Sequence, residues 1–137
     1  MVLNLVVWGD PVPQGSKRAF VVRGKDGRLR PVVAESAGAP LRQWRSDVVD
    51  AARKALDGRG PLQGPLSVEA CFWLRPPKHK PPRYPYRRPD LDKLLRALLD
   101  ALTTAGVMAD DAQVVTLRVS KRYANTPSVE VTVEEMT

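Results

Sequence analysis

Apolar and polar positions alternate with different periods along the chain, and the periods divide it into elements. Residues 3–8 are apolar and extended in character, and read as a strand. Residues 19–23 and 29–33 flank Gly24-Lys25-Asp26-Gly27 and predict a small hairpin. Over 40–56 the stripe Leu41, Trp44, Val48, Ala51, Ala52, Ala55 and Leu56 predicts an amphipathic helix, closed by Asp57-Gly58, with Trp44 in the core. A strand follows over 66–74, nearly continuously apolar at its end, as a central strand is. A second helix is marked by Leu91, Leu94, Leu95, Leu98, Leu102 and Ala105, with Asp92, Lys93, Arg96, Asp100 and Thr103 on its other side. Asp90 stands at its N-cap and Gly106 at its C-cap. A turn over 107–113 leads to strands at 114–123 and 129–133, which look like an antiparallel hairpin around Asn125-Thr126-Pro127. The expected fold is one small α/β (α+β) domain over residues 1–137, a mixed β-sheet with two main helices packed on it.

The stretch 75–88 has neither period. It holds Pro76, Pro77, Pro81, Pro82 and Pro85 among Arg75, Lys78, Lys80, Arg83, Arg87 and Arg88. Proline excludes a helix or a central strand there. The segment 75–89 reads as a mobile basic arm that leads into Asp90. Tyr84 and Tyr86 interleave with its cations, in the pattern of stacking on exposed bases or of ordinary packing at the loop's end.

Charge sharpens the picture. The 137 residues carry a formal net charge of +7, which favours an anionic partner such as nucleic acid. The 43% hydrophobic content suffices for a core. One cysteine, Cys71, excludes an internal disulfide, and its apolar surroundings mark it as a buried small residue. One Cys and one His, the exposed His79, exclude a zinc pattern. The apolar start is too short for a membrane span or signal peptide, so a cytoplasmic protein without membrane contact is expected.

Against this basic background the acids at the second helix stand out. Asp90 and Asp92 begin it, and Asp110 and Asp111 follow it. Residues two apart do not share a helix face, so Asp90 and Asp92 converge only if Asp90 lies outside the regular helix. Taken singly, each acid has a plain structural use: Asp90 as a cap, Asp92 as an ion-pair partner of Arg96, Asp100 bonded to Arg96 or Thr103, Asp110-Asp111 as a turn. Taken together, beside a basic arm, they suit a metal-dependent nuclease, with carboxylates for the metal and cations for phosphates. Lys17 and Arg18, in the loop after the first strand, are further candidates for phosphate contact, as is the basic hairpin of Arg23, Lys25, Arg28 and Arg30. Candidate DNA contacts along the arm are Lys78, Lys80, Arg83, Tyr84, Tyr86, Arg87 and Arg88.

The run Asp90-Leu91-Asp92-Lys93-Leu94-Leu95-Arg96, then Asp100-Ala101-Leu102, Gly106 and Asp110-Asp111-Ala112-Gln113 resembles the RusA family of Holliday junction resolvases, whose pattern is D-L-D-N-x-x-K, D-A-L, a glycine and D-D-x-Q. The match is clear over residues 87–123. The resemblance implies catalytic, metal-binding acids at Asp90, Asp92 and Asp111, with Mg²⁺ as the cofactor and Mn²⁺ as a substitute. It also implies a homodimer acting on branched four-way DNA in recombination and repair, often phage-encoded. Two positions depart from the pattern. Lys93 stands for an asparagine, and Arg96 for a functional lysine. Arginine stays protonated in proteins, so Arg96 is no general base, though it can offset charge beside Lys93. A catalytically weak or inactive branched-DNA binder is the alternative this departure leaves, and a general endonuclease or ribonuclease using the same acids is another.

Overall fold

The structure, a computed structural model, describes residues 1–15, 18–34 and 38–137, with 18–20 and 32–34 described by backbone alone. Its elements run β1 (Val2–Trp8), β2 (Arg18–Arg23), β3 (Leu29–Ala34), α1 (Gly38–Leu56), β4 (Leu66–Leu74), α2 (Leu91–Ala105), β5 (Val114–Tyr123) and β6 (Ser128–Glu135). β2 and β3 form a separate antiparallel hairpin. The other strands form one sheet in the order β1-β6-β4-β5. β6 is antiparallel to both of its neighbours, and β4 and β5 are parallel. The fold is thus a mixed sheet with two helices, as expected.

The last two strands do not form the expected hairpin. β4 lies between β5 and β6. Ala124 donates its N–H to the carbonyl of Leu74 at 2.9 Å, so the chain crosses the end of β4 before β6 begins. Burial gives the reason. Val129, Val131 and Val133 are all buried, whereas Leu117 is 47% exposed and Val115 62% exposed. The valine strand gains most between two neighbours, and the more polar strand takes the edge. The parallel step from β4 to β5 uses α2 as its crossover.

Cross-strand rows build one face of the sheet. Leu3, Val133 and Val68 are in register, as are Leu5, Val131 and Ala70, and Val7, Val129 and Phe72. All of them are buried. Trp44 of α1 meets Phe72 with ring centroids 6.5 Å apart. On α2 the buried set is Leu94, Ala97, Leu98, Ala101, Leu102 and Ala105, while Leu91 and Leu95 are only partly covered. The buried stripe is therefore turned toward Ala97 and Ala101, and α2 packs beside α1. Cys71 belongs to the other, open face of β4 and is half-buried, which corrects its expected place in the core. No helix among the described residues is long and apolar enough to cross a membrane.

Candidate functional site

The entrance to α2 carries the first pair of acids. Asp90 sits at the N-cap with φ −71° and ψ 136°, outside the regular helix, and its side chain makes no capping hydrogen bond. Its carboxylate faces Lys93 Nζ at 3.4 Å. Asp92 lies in the first turn and is exposed. Among the described residues, neither Asp92 nor Arg96 is in an ion pair, so the Asp92–Arg96 pairing that the four-residue spacing allowed is not formed. The helix N-terminus adds partial positive charge beside Asp90 and Asp92. Two exposed carboxylates are hard oxygen donors of the type Mg²⁺ takes together with waters and phosphate oxygens.

The second pair follows Gly106, which closes α2 with φ 85° by donating to the carbonyls of Leu102 and Thr103. A 3₁₀ turn covers Asp111–Gln113. Asp110 caps it, accepting the Ala112 N–H at 2.8 Å. Gln113 locks it. Its Oε1 accepts from Ala109 N at 2.9 Å and Asp110 N at 3.2 Å, and its Nε2 donates to Leu62 O at 3.3 Å and Gly64 O at 3.0 Å. The D-D-x-Q run is thus a cap, an exposed acid and a clamp. Asp110 and Gln113 build the turn, and Asp111 is left exposed. Gln113→Ala removes all four bonds, three of them at exposed groups that water then solvates, and is expected to cost about 1 kcal/mol in a denaturant titration.

Asp111 lines a depression of about 320 Å³ with Arg45, Asp100, Thr103, Thr104, Ala109 and Asp110. A hydrogen bond with the Asp110 carboxyl raises its pKa above 3.8, helped by partial desolvation and by the charges of Asp110 and Asp100. A raised folded-state pKa gives stability that is full below the unfolded value and lost as pH rises through the folded one. Asp111→Asn is therefore expected to be slightly more stable than wild type at pH 7, by no more than about 0.5 kcal/mol at this exposed site. The difference should vanish at pH 3, and thermal melts at the two pH values test it.

The two pairs do not meet. Asp111 lies beside Asp100, and Asp100 is displaced from Asp92 by about 12 Å along the axis of α2. Among the described residues, no group of three or more His, Cys, Asp or Glu is placed to hold one metal ion.

The arm reaches Asp90 along a tethered path. Lys78, Lys80, Arg83, Arg87 and Arg88 are exposed, and Pro85 is buried. Tyr84 is 49% exposed and Tyr86 71% exposed. Arg83 and Arg122 lie over the Tyr84 ring at 5.3 and 5.6 Å, and Arg87 lies over Tyr86 at 5.5 Å. Lys93 and Arg96 are on the polar side of α2, with Arg96 exposed. Lys17 falls outside the described residues, and Arg18 is described by backbone only.

Three residues that the sequence did not single out support these groups. Gln14 donates its N–H to Lys93 O at 3.0 Å and its Nε2 to Asp100 at 2.8 Å, while Arg45 donates to Gln14 Oε1 at 3.3 Å. Asp100 is thereby paired with Gln14, which its spacing to Arg96 and Thr103 had not suggested. Lys121 donates to the carbonyls of Arg87 and Pro89, both at 2.8 Å. Its signal was present: Lys121 follows Leu117 and Val119 on the inward side of β5, where an apolar residue is expected.

Comparison with known proteins adds the following. The family description "Endodeoxyribonuclease RusA" matches residues 9–134. The uncharacterized protein YqaN of Bacillus subtilis is 28% identical over 138 aligned positions, covering 98% of this chain and 96% of that protein. The crossover junction endodeoxyribonuclease RusA of Escherichia coli K12 is 49% identical over 59 residues, which is 42% of this chain and 47% of that protein. The RusA of Enterobacteria phage 82 is similar to the same extent. The match with these RusA proteins thus spans about half of their length.

Proposed function

The chain belongs to the RusA family of endodeoxyribonucleases, and from that premise we propose that it is a Mg²⁺-dependent nuclease that resolves four-way DNA junctions by paired symmetric nicks, as a homodimer. One observation carries the reading furthest. Asp90 occupies a cap position without capping, and its exposed carboxylate, facing Lys93, stands near Asp92 in the chain where a basic arm ends.

When bound, the ion supplies Lewis-acid charge and an acidified water. The chain's own residues do the rest. Asp90 and Asp92 present the carboxylate oxygens that hold the ion. Lys93, 3.4 Å from Asp90, offsets part of the negative charge before an ion arrives. Arg96, one turn on, donates to phosphate oxygens as negative charge grows on them, and takes no proton. Lys78, Lys80, Arg83, Arg87 and Arg88 hold backbone phosphates leading to the site. Tyr86, the more exposed of the arm's tyrosines, offers a face to an unpaired base at the branch point.

Asp111 does not join the pair within one protomer. Two paired cuts call for two symmetric sites, which a two-fold homodimer provides. A second copy also brings a second Asp111, and we place the third carboxylate of each site there.

Cleavage of a synthetic four-way junction with Mg²⁺, against linear duplex and RNA competitors, tests the proposal. Symmetric nicks in the junction alone are expected. Equal cutting of duplex or RNA would point to a general nuclease, and binding without cutting would leave a branched-DNA binder.

A further inference from the structure

We infer that Lys121 is the positioning residue that keeps the Asp90 carboxylate off the helix cap and available to the site. The inference rests on the nuclease reading for its purpose, and on geometry for its substance.

Asp is among the best N-cap residues, because its side chain accepts the N–H of the second or third helical residue. Those amides belong to Asp92 and Lys93, directly beside Asp90. Asp90 has the extended backbone of a cap, yet forms no such bond. Its carboxylate turns instead toward Lys93 Nζ at 3.4 Å, a contact on the same helix start that leaves both amides uncapped. The peptide immediately before Asp90 is fixed from outside. Lys121 Nζ donates 2.8 Å bonds to Pro89 O and to Arg87 O. A peptide unit is planar, so fixing the oxygen of Pro89 fixes the plane that contains the Asp90 N–H. Rotation about the bond that sets Asp90 φ is then coupled to a contact on β5.

The anchor itself is rigid. Lys121 lies in the parallel β4–β5 ladder, opposite Phe72, a fully buried residue. It occupies an inward position of an edge strand, half-buried, where a lysine has no packing advantage. Its use is the pair of carbonyls. One of the two bonds holds the Arg87 carbonyl, so the backbone at the end of the arm and at the first acid of the site is set by one amine.

Lys121→Met keeps the stem and removes the donors. Three measurements on the full chain read the effect. Without metal, amide exchange at Asp92 and Lys93 is expected to slow about 5-fold, as Asp90 turns onto the cap. Mn²⁺ binding without DNA, followed by electron paramagnetic resonance, is expected to weaken about 10-fold or more, the usual effect of losing a group that orients a ligand. Junction cleavage should fall in kcat by about 10- to 100-fold with little change in KM. Lys121→Arg, whose fork also reaches two carbonyls, should restore most of the loss, and Lys121→Gln much less. Should the methionine variant not fold, the arginine–glutamine contrast carries the test. Wild-type exchange and Mn²⁺ affinity in Lys121→Met or Lys121→Gln overturn the inference, as does an arginine variant no better than glutamine. A wild type that cuts no DNA, with variants that still show the exchange and Mn²⁺ effects, overturns the nuclease reading and leaves the positioning role standing.

Discussion

Asp92→Asn is expected to bind a four-way junction as wild type does and to leave it uncut. The substitution keeps shape and removes one charge from an exposed side chain outside the core. Its cost to folding is the loss of a favourable acid in the first helical turn, about 0.3–1 kcal/mol. The cost to chemistry is far larger, because a neutral amide replaces one of two adjacent carboxylates at the proposed ion site. A loss of about 10³-fold in cleavage corresponds to about 4 kcal/mol of transition-state stabilisation. Binding should persist because the phosphate contacts come from the arm, whose cations are untouched, and it should weaken steeply with salt. Gel-shift and cleavage assays on the same junction, with Mg²⁺ and with EDTA, read both quantities. Equal cutting by the variant would remove Asp92 from the site, and equal loss of binding and cutting would make it a DNA contact.

What the sequence disclosed and what it hid divide along a physical line. α2 was legible from end to end, because leucine periodicity and the Gly106 cap are local signals. The hairpin β2–β3 was legible from its turn residues. Pairing of β5 with β6 was misread because a short connection between two strands suggests a hairpin, whereas partner choice is decided by which strand gains from burial on both flanks. Only the contrast between buried Val131 and exposed Leu117 shows that, and it exists only once the sheet is assembled. At the site, the condition that Asp90 lie outside the helix followed from spacing alone. The division of labour within Asp110-Asp111-Ala112-Gln113 did not, since Gln113 reaches back to Leu62 and Gly64, about fifty positions away in the chain. Lys121 was visible as a break in alternation on β5, but its partners, the carbonyls of Arg87 and Pro89, carry no side-chain signature. The separation of Asp111 from Asp90 and Asp92 was legible in principle, because the 15-residue helix between the two pairs is about 22 Å long.

That separation sets up the second large expected result, which uses two inactive proteins. Asp92→Asn and Asp111→Asn are each expected to be inactive alone. Mixed, and allowed to exchange subunits, they should regain nicking. If each site takes Asp90 and Asp92 from one copy and Asp111 from the other, a mixed dimer has one site with both substitutions and one with neither. The intact site cuts at a wild-type rate, and random mixing gives half of the dimers this composition. Activity should therefore rise to about a quarter of wild-type single-strand cuts, roughly 250-fold over a parent that has lost about 10³-fold. The product should also change character. One site per dimer yields one nick per junction, so nicked junctions should accumulate in place of resolved duplexes. If each site were built within one protomer, every site in the mixture would carry one substitution, and mixing would restore nothing. The geometry argues for the first outcome. Asp111 is held beside Asp100 by the turn that Gln113 locks, and Asp100 stands about 12 Å along α2 from Asp92, several times the reach of one ion's oxygen bonds.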